Sequence, residues 1–300
     1  MDKKHFFIIA GANKCGTTTI FSYLSRHPEI CPSIIKETMF FLGARYNSDV
    51  KPVEEYSRLF GQCSNRKYLM ESTPGYLDGG ARIASHIKNS LTDVRIIFIL
   101  RNPADRLISF YNSQKAKLKL SKDITIDKYI VECRSMPNKV RRLQANNHYW
   151  GIDGGYYAKY LHEWYSVFPP GNIRVYFFDD LKSNVHHLIE EICIWLEIDP
   201  KAIVRDNYEI HNKTTLYENK FVHKTAIMTN AYFEPFFRKF PELKSGMKKL
   251  YYVVNGRPVD ETINDTIMLQ IEELYRDSNC ELRTLLHTHG YQTLPAWLVE

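Results

Sequence analysis

The sequence contains no long apolar run, and this absence excludes a membrane-spanning helix. No stretch approaches the roughly 20 apolar residues that such a helix needs. The apolar run near the N-terminus is only about seven residues long, and glycines and polar residues follow it without a small-residue cleavage site. It therefore predicts a buried first strand rather than a signal peptide, and we expect no membrane partner.

Cysteines at metal-binding spacing are also missing. The six cysteines are widely separated and include no Cys-x-x-Cys pair, which argues against a zinc site and a dense disulfide framework. On a helix the adjacent His186 and His187 point about 100° apart, and His287 and His289 have no cysteine or carboxylate at ligand spacing. We therefore expect no metal, and reduced cysteines in a cytoplasmic protein.

Long clusters of positive charge are absent, although the formal net charge is +6. The short pairs Arg141-Arg142 and Lys248-Lys249 accompany no nucleic-acid-binding motif, so we expect no nucleic-acid partner. A hydrophobic content of 44% and a charged content of 25% are ordinary for a globular protein. A chain of 300 residues is long enough for one large α/β domain. The sequence carries no signal for an oligomeric state.

Short apolar runs alternate with helical patterns along the first 200 residues. This alternation predicts a single α/β domain spanning residues 1–300, with a central parallel sheet, flanking helices and right-handed crossovers. Ligands of such sheets bind beyond the carboxyl ends of the strands. The predicted strands are 5–10, 67–71, 94–100 and 173–178.

Two segments fit the alternation poorly. Residues 121–154 and 211–257 are polar, aromatic and irregular, which is typical of insertions that carry substrate contacts. Residues 261–289 have helical apolar spacing and are predicted to pack as a closing helix.

A P-loop-like segment follows the first predicted strand and opens a helix. Its glycines allow a tight turn, and the N–H groups at a helix N-terminus attract an anion. The lysine stands two residues before the second glycine, not directly after it as in a nucleoside-triphosphate P-loop, so a P-loop kinase is disfavoured. The segment is Gly11-Ala12-Asn13-Lys14-Cys15-Gly16-Thr17-Thr18-Thr19.

A second candidate anion site begins where the third predicted strand ends. Arg101 stands at the carboxyl end of that strand, where a guanidinium can bind a phosphate with two hydrogen bonds. Ser109 follows about two helical turns later and can add a hydroxyl. The alternative is that Arg101 pairs with Asp105 and that Ser109 is an ordinary helix-surface residue.

Together these segments resemble the nucleotide-binding signature of the PAPS-dependent sulfotransferase superfamily, where PAPS is 3′-phosphoadenosine 5′-phosphosulfate. The resemblance rests on Lys14 to Thr18 and on Arg101-Asn102-Pro103-Ala104-Asp105-Arg106 with Ser109 and Tyr111. Two further segments are similar to the heparan sulfate branch, which also supplies bacterial small-molecule sulfotransferases. They are Lys36-Glu37-Thr38-Met39-Phe40-Phe41 and Glu71-Ser72-Thr73-Pro74-Gly75-Tyr76. One feature departs from the glycan-modifying members, which carry a late cysteine-flanked loop with Lys-Gly-Arg. This chain has no such triplet, and Asn255-Gly256-Arg257 resembles it only faintly.

The resemblance implies PAPS as sulfuryl donor, adenosine 3′,5′-bisphosphate as product, and no metal. It assigns the 5′-phosphosulfate to the loop of Lys14, Cys15, Gly16, Thr17, Thr18 and Thr19, and the 3′-phosphate to Arg101 and Ser109. Lys14 and Glu37 then become the catalytic residues, with Glu37 as the base for the acceptor. A position between Lys36 and two Phe rings is expected to remove Glu37 partly from water and raise its basicity.

The acceptor is less defined. Tyr76, His148, Tyr149 and Tyr156 are candidate acceptor contacts, although a structural role for His148 is an open alternative. We expect a small natural product sulfated on oxygen or nitrogen. The alternatives are a glycan acceptor, a small-molecule kinase, and an inactive nucleotide-binding module.

Overall fold

A computed structural model describes residues 5–48, 51–61, 63, 66–203, 216–233, 241–257 and 263–299. The first residues of the predicted closing helix and parts of the predicted 211–257 insertion lie outside these ranges.

The core of the fold is a five-stranded parallel sheet with the strand order β2-β3-β1-β4-β5. β1 and β4 are central and almost continuously apolar, because helices cover both faces of the sheet there. The strands are β1 His5–Gly11, β2 Ile30–Pro32, β3 Tyr68–Glu71, β4 Val94–Leu100 and β5 Ile173–Phe177. A separate antiparallel pair consists of β6 Leu216–Tyr217 and β7 Gly256–Arg257.

Helices connect and cover the strands, and short 3₁₀ turns join them. In chain order they are α1 Thr17–Leu24, α2 Val53–Ser57, α3 Gly80–Ser90, α4 Pro103–Ala116, α5 Ile126–Ser135, α6 Asn138–Arg141, α7 Tyr157–Val167, α8 Phe178–Ser183, α9 Val185–Trp195, α10 Lys220–Tyr232, α11 Pro241–Asn255, α12 Asp265–Glu273, α13 Arg276–Thr288 and α14 Ala296–Val299.

The predicted sheet and its flanking helices are confirmed, with three differences. β2 was not predicted, because three residues are too few to show a period. The predicted closing helix is interrupted: α12 ends at Glu273, and the buried Tyr275 precedes α13 while donating a hydrogen bond to the carbonyl of Ile152 at 3.0 Å. The two segments predicted to be irregular contain helices α5, α6, α10 and α11.

The cysteine prediction is wrong for one pair. Cys31 and Cys63 form a disulfide with their Cα atoms 6.0 Å apart. They are 32 residues apart in the chain, so only the fold brings them together. The other four cysteines are free, and Cys280 among them is exposed. Because a disulfide is present, the state of the cysteines no longer supports the predicted cytoplasmic location.

Among the described residues, buried apolar side chains form two clusters. The main cluster fills the space between the sheet and its helices. The second cluster packs α4 against α5 and α12, and it contains Leu107, Tyr129 and Tyr275. α4 therefore is held on two sides, and this fixes the direction in which it leaves β4.

Candidate active site

The loop after β1 is shaped for a close approach to an anion. Gly16 has φ +83° and caps α1, a left-handed conformation that favours glycine. A Cβ atom at Gly16 would lie 2.3 Å from a methyl carbon of Leu181, so a larger residue would force that side chain to move in addition to straining the backbone. Lys14 also has a positive φ, of 69°. The first N–H groups of α1 therefore point out of a tight turn, where they can donate hydrogen bonds to an anion.

The six loop residues predicted to contact the nucleotide differ in exposure. Thr18 is exposed, whereas Thr17 and Thr19 are buried. Cys15 is fully buried with its Sγ 3.9 Å from the Tyr157 hydroxyl, and burial raises the pKa of its thiol to about 11. The Cys15 side chain therefore supports the core, and only its backbone remains for a ligand.

Positive charge converges beside Lys14. Burial lowers the pKa of Lys14, and the positive charges of Lys117 and Arg101 lower it further. Lys117 follows the last residue of α4 and was missed by the sequence analysis. Its only signal was a spacing of eight residues from Ser109, which places both residues on one side of a helix of this length.

Arg101 lies at the same edge of the sheet and is linked to the loop through Phe178. Its guanidinium carbon lies 4.8 Å from the centre of the Phe178 ring. The same ring lies next to the position that a Cβ atom would take at Gly16. The predicted alternative pairing is present, with Nη2 of Arg101 3.3 Å from Asp105. Nε of Arg101 is buried and has no hydrogen-bond partner among the described residues.

The unpaired Nε and the repulsion among three cations both fit a ligand with more than one phosphate. An uncompensated buried donor costs about 1–3 kcal/mol, which an anionic oxygen would recover. Ser109 is half-buried on α4, and its hydroxyl has no partner within the described part of the chain, so it is available to the same ligand.

Lys36 and Glu37 approach the loop from the segment after β2. Nζ of Lys36 lies 3.4 Å from Oγ1 of Thr17 and 3.2 Å from Oε1 of Glu37. The negative charge of Glu37 also raises the pKa of Lys14, although less than burial and the cations lower it. Glu37 therefore lies within electrostatic range of Lys14.

The expected desolvation of Glu37 is wrong. Its side chain is 44% exposed. The rings of Phe40 and Phe41 pack against Tyr56 with centroid distances of 4.9 and 5.1 Å. They fill the core beneath the segment, so they do not shield the carboxylate.

The carboxylate that is buried here is Glu71, at the end of β3. It is fully buried and accepts hydrogen bonds from Thr38 and Thr73, both at 2.7 Å, and from Tyr56 at 3.2 Å. Burial raises the pKa of Glu71, and the hydroxyl donors oppose that rise. The sequence signal was a charged residue ending an apolar strand. Glu71 thereby anchors the segment that carries Glu37.

The four candidate acceptor residues differ in burial and in the groups they contact. Tyr76 is fully buried, and its hydroxyl accepts a hydrogen bond from the backbone of Phe41, so it supports the loop. The His148 and Tyr149 rings contact each other at 4.3 Å, and burial lowers the pKa of His148. Tyr156 packs on the buried Tyr275.

A basic cavity is lined in part by residues 45–48, which follow the Glu37 segment in the chain. It has a volume of about 640 Å³ and includes Trp150 and Tyr160 in its wall. Arg45 forms a largely buried ion pair there with Asp78 at 3.4 Å. Five cationic residues line it: Arg45, Arg82, Lys139, Arg142 and Lys159.

Within the described ranges, no helix is both long and apolar enough to cross a bilayer. The same residues contain no group of three or more His, Cys, Asp or Glu side chains placed to hold a metal ion.

A parallel α/β sheet with a glycine loop and a helix N-terminus at its carboxyl edge, and with three cations close to that loop, is suited to bind a phosphorylated ligand. The family model "Sulfotransferase domain" matches residues 4–241. The chain belongs to this sulfotransferase family, and the predicted relationship is confirmed.

Relatives and solved structures agree with this family. The chain is 27% identical over 307 aligned positions to bifunctional heparan sulfate N-deacetylase/N-sulfotransferase 2 of Bos taurus, covering 100% of this chain and 31% of the relative. It is 30% identical over 207 positions to the Mus musculus protein of the same name, covering 66% of this chain and 22% of the relative. It thus spans about a third or less of these relatives. A sulfotransferase from Alicyclobacillus acidocaldarius shares the fold with a TM-score of 0.68 at 17% identity, over 99% of both chains.

Proposed function

We propose that the protein transfers a sulfuryl group from PAPS to a hydroxyl or amine of a small acceptor. The observation that carries this proposal is the convergence of Lys14 and Arg101 at one edge of the sheet, with an unpaired buried Nε on Arg101. We assign Lys14 to the 5′ end and Arg101 to the 3′ end of the bisphosphorylated nucleotide. Family membership supplies the reaction class.

The residues divide the work of an in-line displacement. The donor, when bound, supplies an activated sulfuryl group whose bond to the phosphate oxygen breaks as a new bond to the acceptor forms. Lys14 stabilises the negative charge that develops on the leaving oxygen, and the N–H groups of Gly16 and Thr17 hold the 5′-phosphate. Glu37 accepts the proton that the acceptor oxygen or nitrogen loses.

Lys36 and Glu71 support this arrangement. Lys36 lies between Glu37 and Thr17, so it fixes the distance between the base and the loop. Glu71 accepts a hydrogen bond from Thr38 and so holds the residue that directly follows Glu37. Arg101 and Ser109 bind the 3′-phosphate, which distinguishes this nucleotide from ATP.

Ligand-dependent unfolding separates this proposal from the alternatives. Adenosine 3′,5′-bisphosphate should raise Tm without Mg²⁺, by RT ln(1 + [L]/Kd) in free energy. A kinase would instead respond to ATP with Mg²⁺. Transfer of a radiolabelled sulfuryl group from PAPS to a metabolite extract would then separate an active enzyme from an inactive nucleotide-binding module.

The basic cavity favours a second candidate, a transferase for anionic glycans. Five cations against two carboxylates, Asp78 and Glu163, in the cavity lining suit an acceptor that carries carboxylates or sulfates. The relatives named above are heparan sulfate N-sulfotransferases, so the glycan alternative has support from similarity as well.

Competing acceptors distinguish the two candidates. If the acceptor is an anionic glycan, Arg142→Ala should raise the KM for it several-fold, whereas Lys128→Ala, an exposed lysine on α5 outside the cavity, should not. Sulfation of small phenols or amines with an unchanged KM in Arg142→Ala would favour the small-molecule acceptor.

A further inference from the structure

Helices α10 and α11 form a helix pair, and hydrogen bonds hold this pair at one end. Asn255 is 2% exposed, and its side chain accepts a hydrogen bond from the backbone N–H of Asn219 at 2.8 Å. β6 and β7 pair directly beside it. Nε2 of His223 donates a hydrogen bond to the carbonyl oxygen of Ala116 at 2.7 Å, and this bond attaches the helix pair to the end of α4. The helix pair is therefore held at one end against the transferase domain.

Both helices expose apolar side chains at helical spacing. On α10, Phe221, Met228 and Tyr232 are separated by seven and four residues, and Phe221 is 79% and Tyr232 80% exposed. This spacing places them on one face of the helix. On α11 the exposed apolar residues at the same type of spacing are Leu243, Met247, Leu250 and Val254.

Each apolar face contributes one residue to an open groove between the helices. Phe221 from α10 and Met247 from α11 both line it, and its volume is about 690 Å³. Most of its wall is apolar, with Ile227 and Tyr252 contributing. Soluble proteins rarely leave such contiguous apolar surface open, so the groove and its margins mark a binding surface.

The same segment carries most of the net charge of the chain. Residues 216–257 contain eight Lys and Arg against three Glu, a difference of five, while the whole chain has a net charge of +6. Within α10 and α11 alone there are five lysines and one glutamate. An exposed apolar face on a lysine-rich helix is the pattern of elements that lie in the interface of an anionic bilayer.

We propose that the helix pair docks on an anionic lipid surface, with its apolar faces in the interface and the exposed Lys220 and Lys224 near the headgroups. A second copy of this chain suits the surface less well, because two segments of strong positive charge would face each other. The expectation of no membrane partner rested on the lack of an apolar run long enough to span a bilayer. Interfacial binding requires no such helix.

Vesicle flotation tests this proposal without any nucleotide or acceptor, so its outcome is independent of the proposed reaction. The full chain is mixed with vesicles of phosphatidylglycerol and phosphatidylcholine, or of phosphatidylcholine alone. We expect flotation with the anionic vesicles only, reduced at high salt because exposed charges are then screened.

Matched variants locate the surface. The triple variant Phe221→Ser, Tyr232→Ser and Leu250→Ser should reduce vesicle binding by about tenfold or more, since each change removes exposed apolar area. The double variant Lys220→Glu and Lys224→Glu should do the same through charge. The control Ile194→Ser on α9, whose side chain is 65% exposed, should bind like the parent protein.

Three results would overturn the proposal. They are the absence of the folded protein from floated anionic vesicles, equal binding to vesicles of phosphatidylcholine alone, and equal losses in the triple variant and the Ile194→Ser control. Light scattering completes the test. If the protein does not bind vesicles but forms a dimer that the triple variant abolishes, the surface would be assigned to a second copy of the chain instead.

Discussion

The carboxylate of Glu71 accepts a hydrogen bond of 2.7 Å from the hydroxyl of Thr38, the residue directly after Glu37. Glu71 belongs to the sheet and Thr38 to the irregular segment between β2 and α2. This bond therefore transfers the rigidity of the sheet to the segment that carries the proposed base. Thr73 reinforces it by donating to the same carboxylate oxygen and by accepting from the backbone N–H of Met39.

The first prediction concerns the role of Glu71 in positioning Glu37. Replacing Glu71 with Gln should lower kcat about tenfold or more while the Kd for adenosine 3′,5′-bisphosphate stays within about twofold, because a misplaced base affects chemistry and not nucleotide binding. Thr38→Ser keeps the hydroxyl and should retain most of kcat, whereas Thr38→Val should not. Equal losses in kcat and nucleotide affinity would assign Glu71 a general structural role instead.

Glu71 also predicts a pH dependence of stability. Its pKa in the folded protein is raised above the ordinary value of 4.5 by burial, so between these two values the folded state binds more protons than the unfolded state. Its contribution to the free energy of unfolding is therefore present below pH 4.5 and is lost as pH rises through the folded pKa. Urea unfolding of the parent and Glu71→Gln across this window should show a steeper decline in the parent. Parallel profiles would contradict the prediction.

Lys14 predicts a pH dependence of nucleotide binding. Burial and the neighbouring cations lower its pKa, and a bound anion would raise it, because the anion favours the charged ammonium. The affinity for adenosine 3′,5′-bisphosphate should therefore fall as pH rises through the pKa of free Lys14. Calorimetric titrations from neutral to alkaline pH should show this decline, and Lys14→Ala should flatten it. A decline that persists in Lys14→Ala would belong to another group.

The exposed position of Glu37 allows its chemistry to be separated from folding. Glu37→Gln should leave Tm within a few degrees of the parent, because the side chain is partly in solvent. Its kcat should nevertheless fall about 10²-fold, since the acceptor loses its proton acceptor. Full activity in Glu37→Gln would remove Glu37 as the base and direct attention to other groups near Lys14.

The disulfide between Cys31 and Cys63 should contribute to stability under oxidising conditions. Cys63→Ser should lower the free energy of unfolding by about 2–4 kcal/mol, because the 32-residue loop would no longer be closed in the unfolded chain. Cys280→Ser, at an exposed free cysteine, is the matched control and should have little effect. A reductant should bring the parent protein close to Cys63→Ser. No difference between parent and Cys63→Ser without reductant would contradict this prediction.

The sequence was sufficient where a physical requirement is local. Val94–Leu100 is apolar at nearly every position because both faces of β4 are covered, so its place in a parallel sheet was predictable. The turn at Gly16 was predictable because glycine favours the left-handed conformation that begins α1. These two features fix the edge of the sheet at which the site is formed.

Features that depend on distant contacts were not predictable. Lys117 lies beside Lys14 only because α4 leaves β4 in one direction, which the second hydrophobic cluster fixes. Glu71 ends a strand in the sequence, and only the fold shows that Thr38 and Tyr56 converge on it. Phe40 and Phe41 were expected to pack beside Glu37, but their rings pack against Tyr56 in the core instead.

Calorimetric titration of adenosine 3′,5′-bisphosphate in metal-free buffer tests the central claim most directly. We predict binding to a single site, weakened about tenfold or more in Lys14→Ala and also in Arg101→Ala, because each removes a charge-assisted contact to a different phosphate. Adenosine 5′-phosphate, which lacks the 3′-phosphate, should be sensitive to Lys14→Ala but not to Arg101→Ala. Binding of the bisphosphate that neither substitution weakens would contradict the account, because the nucleotide would then lie elsewhere on the protein.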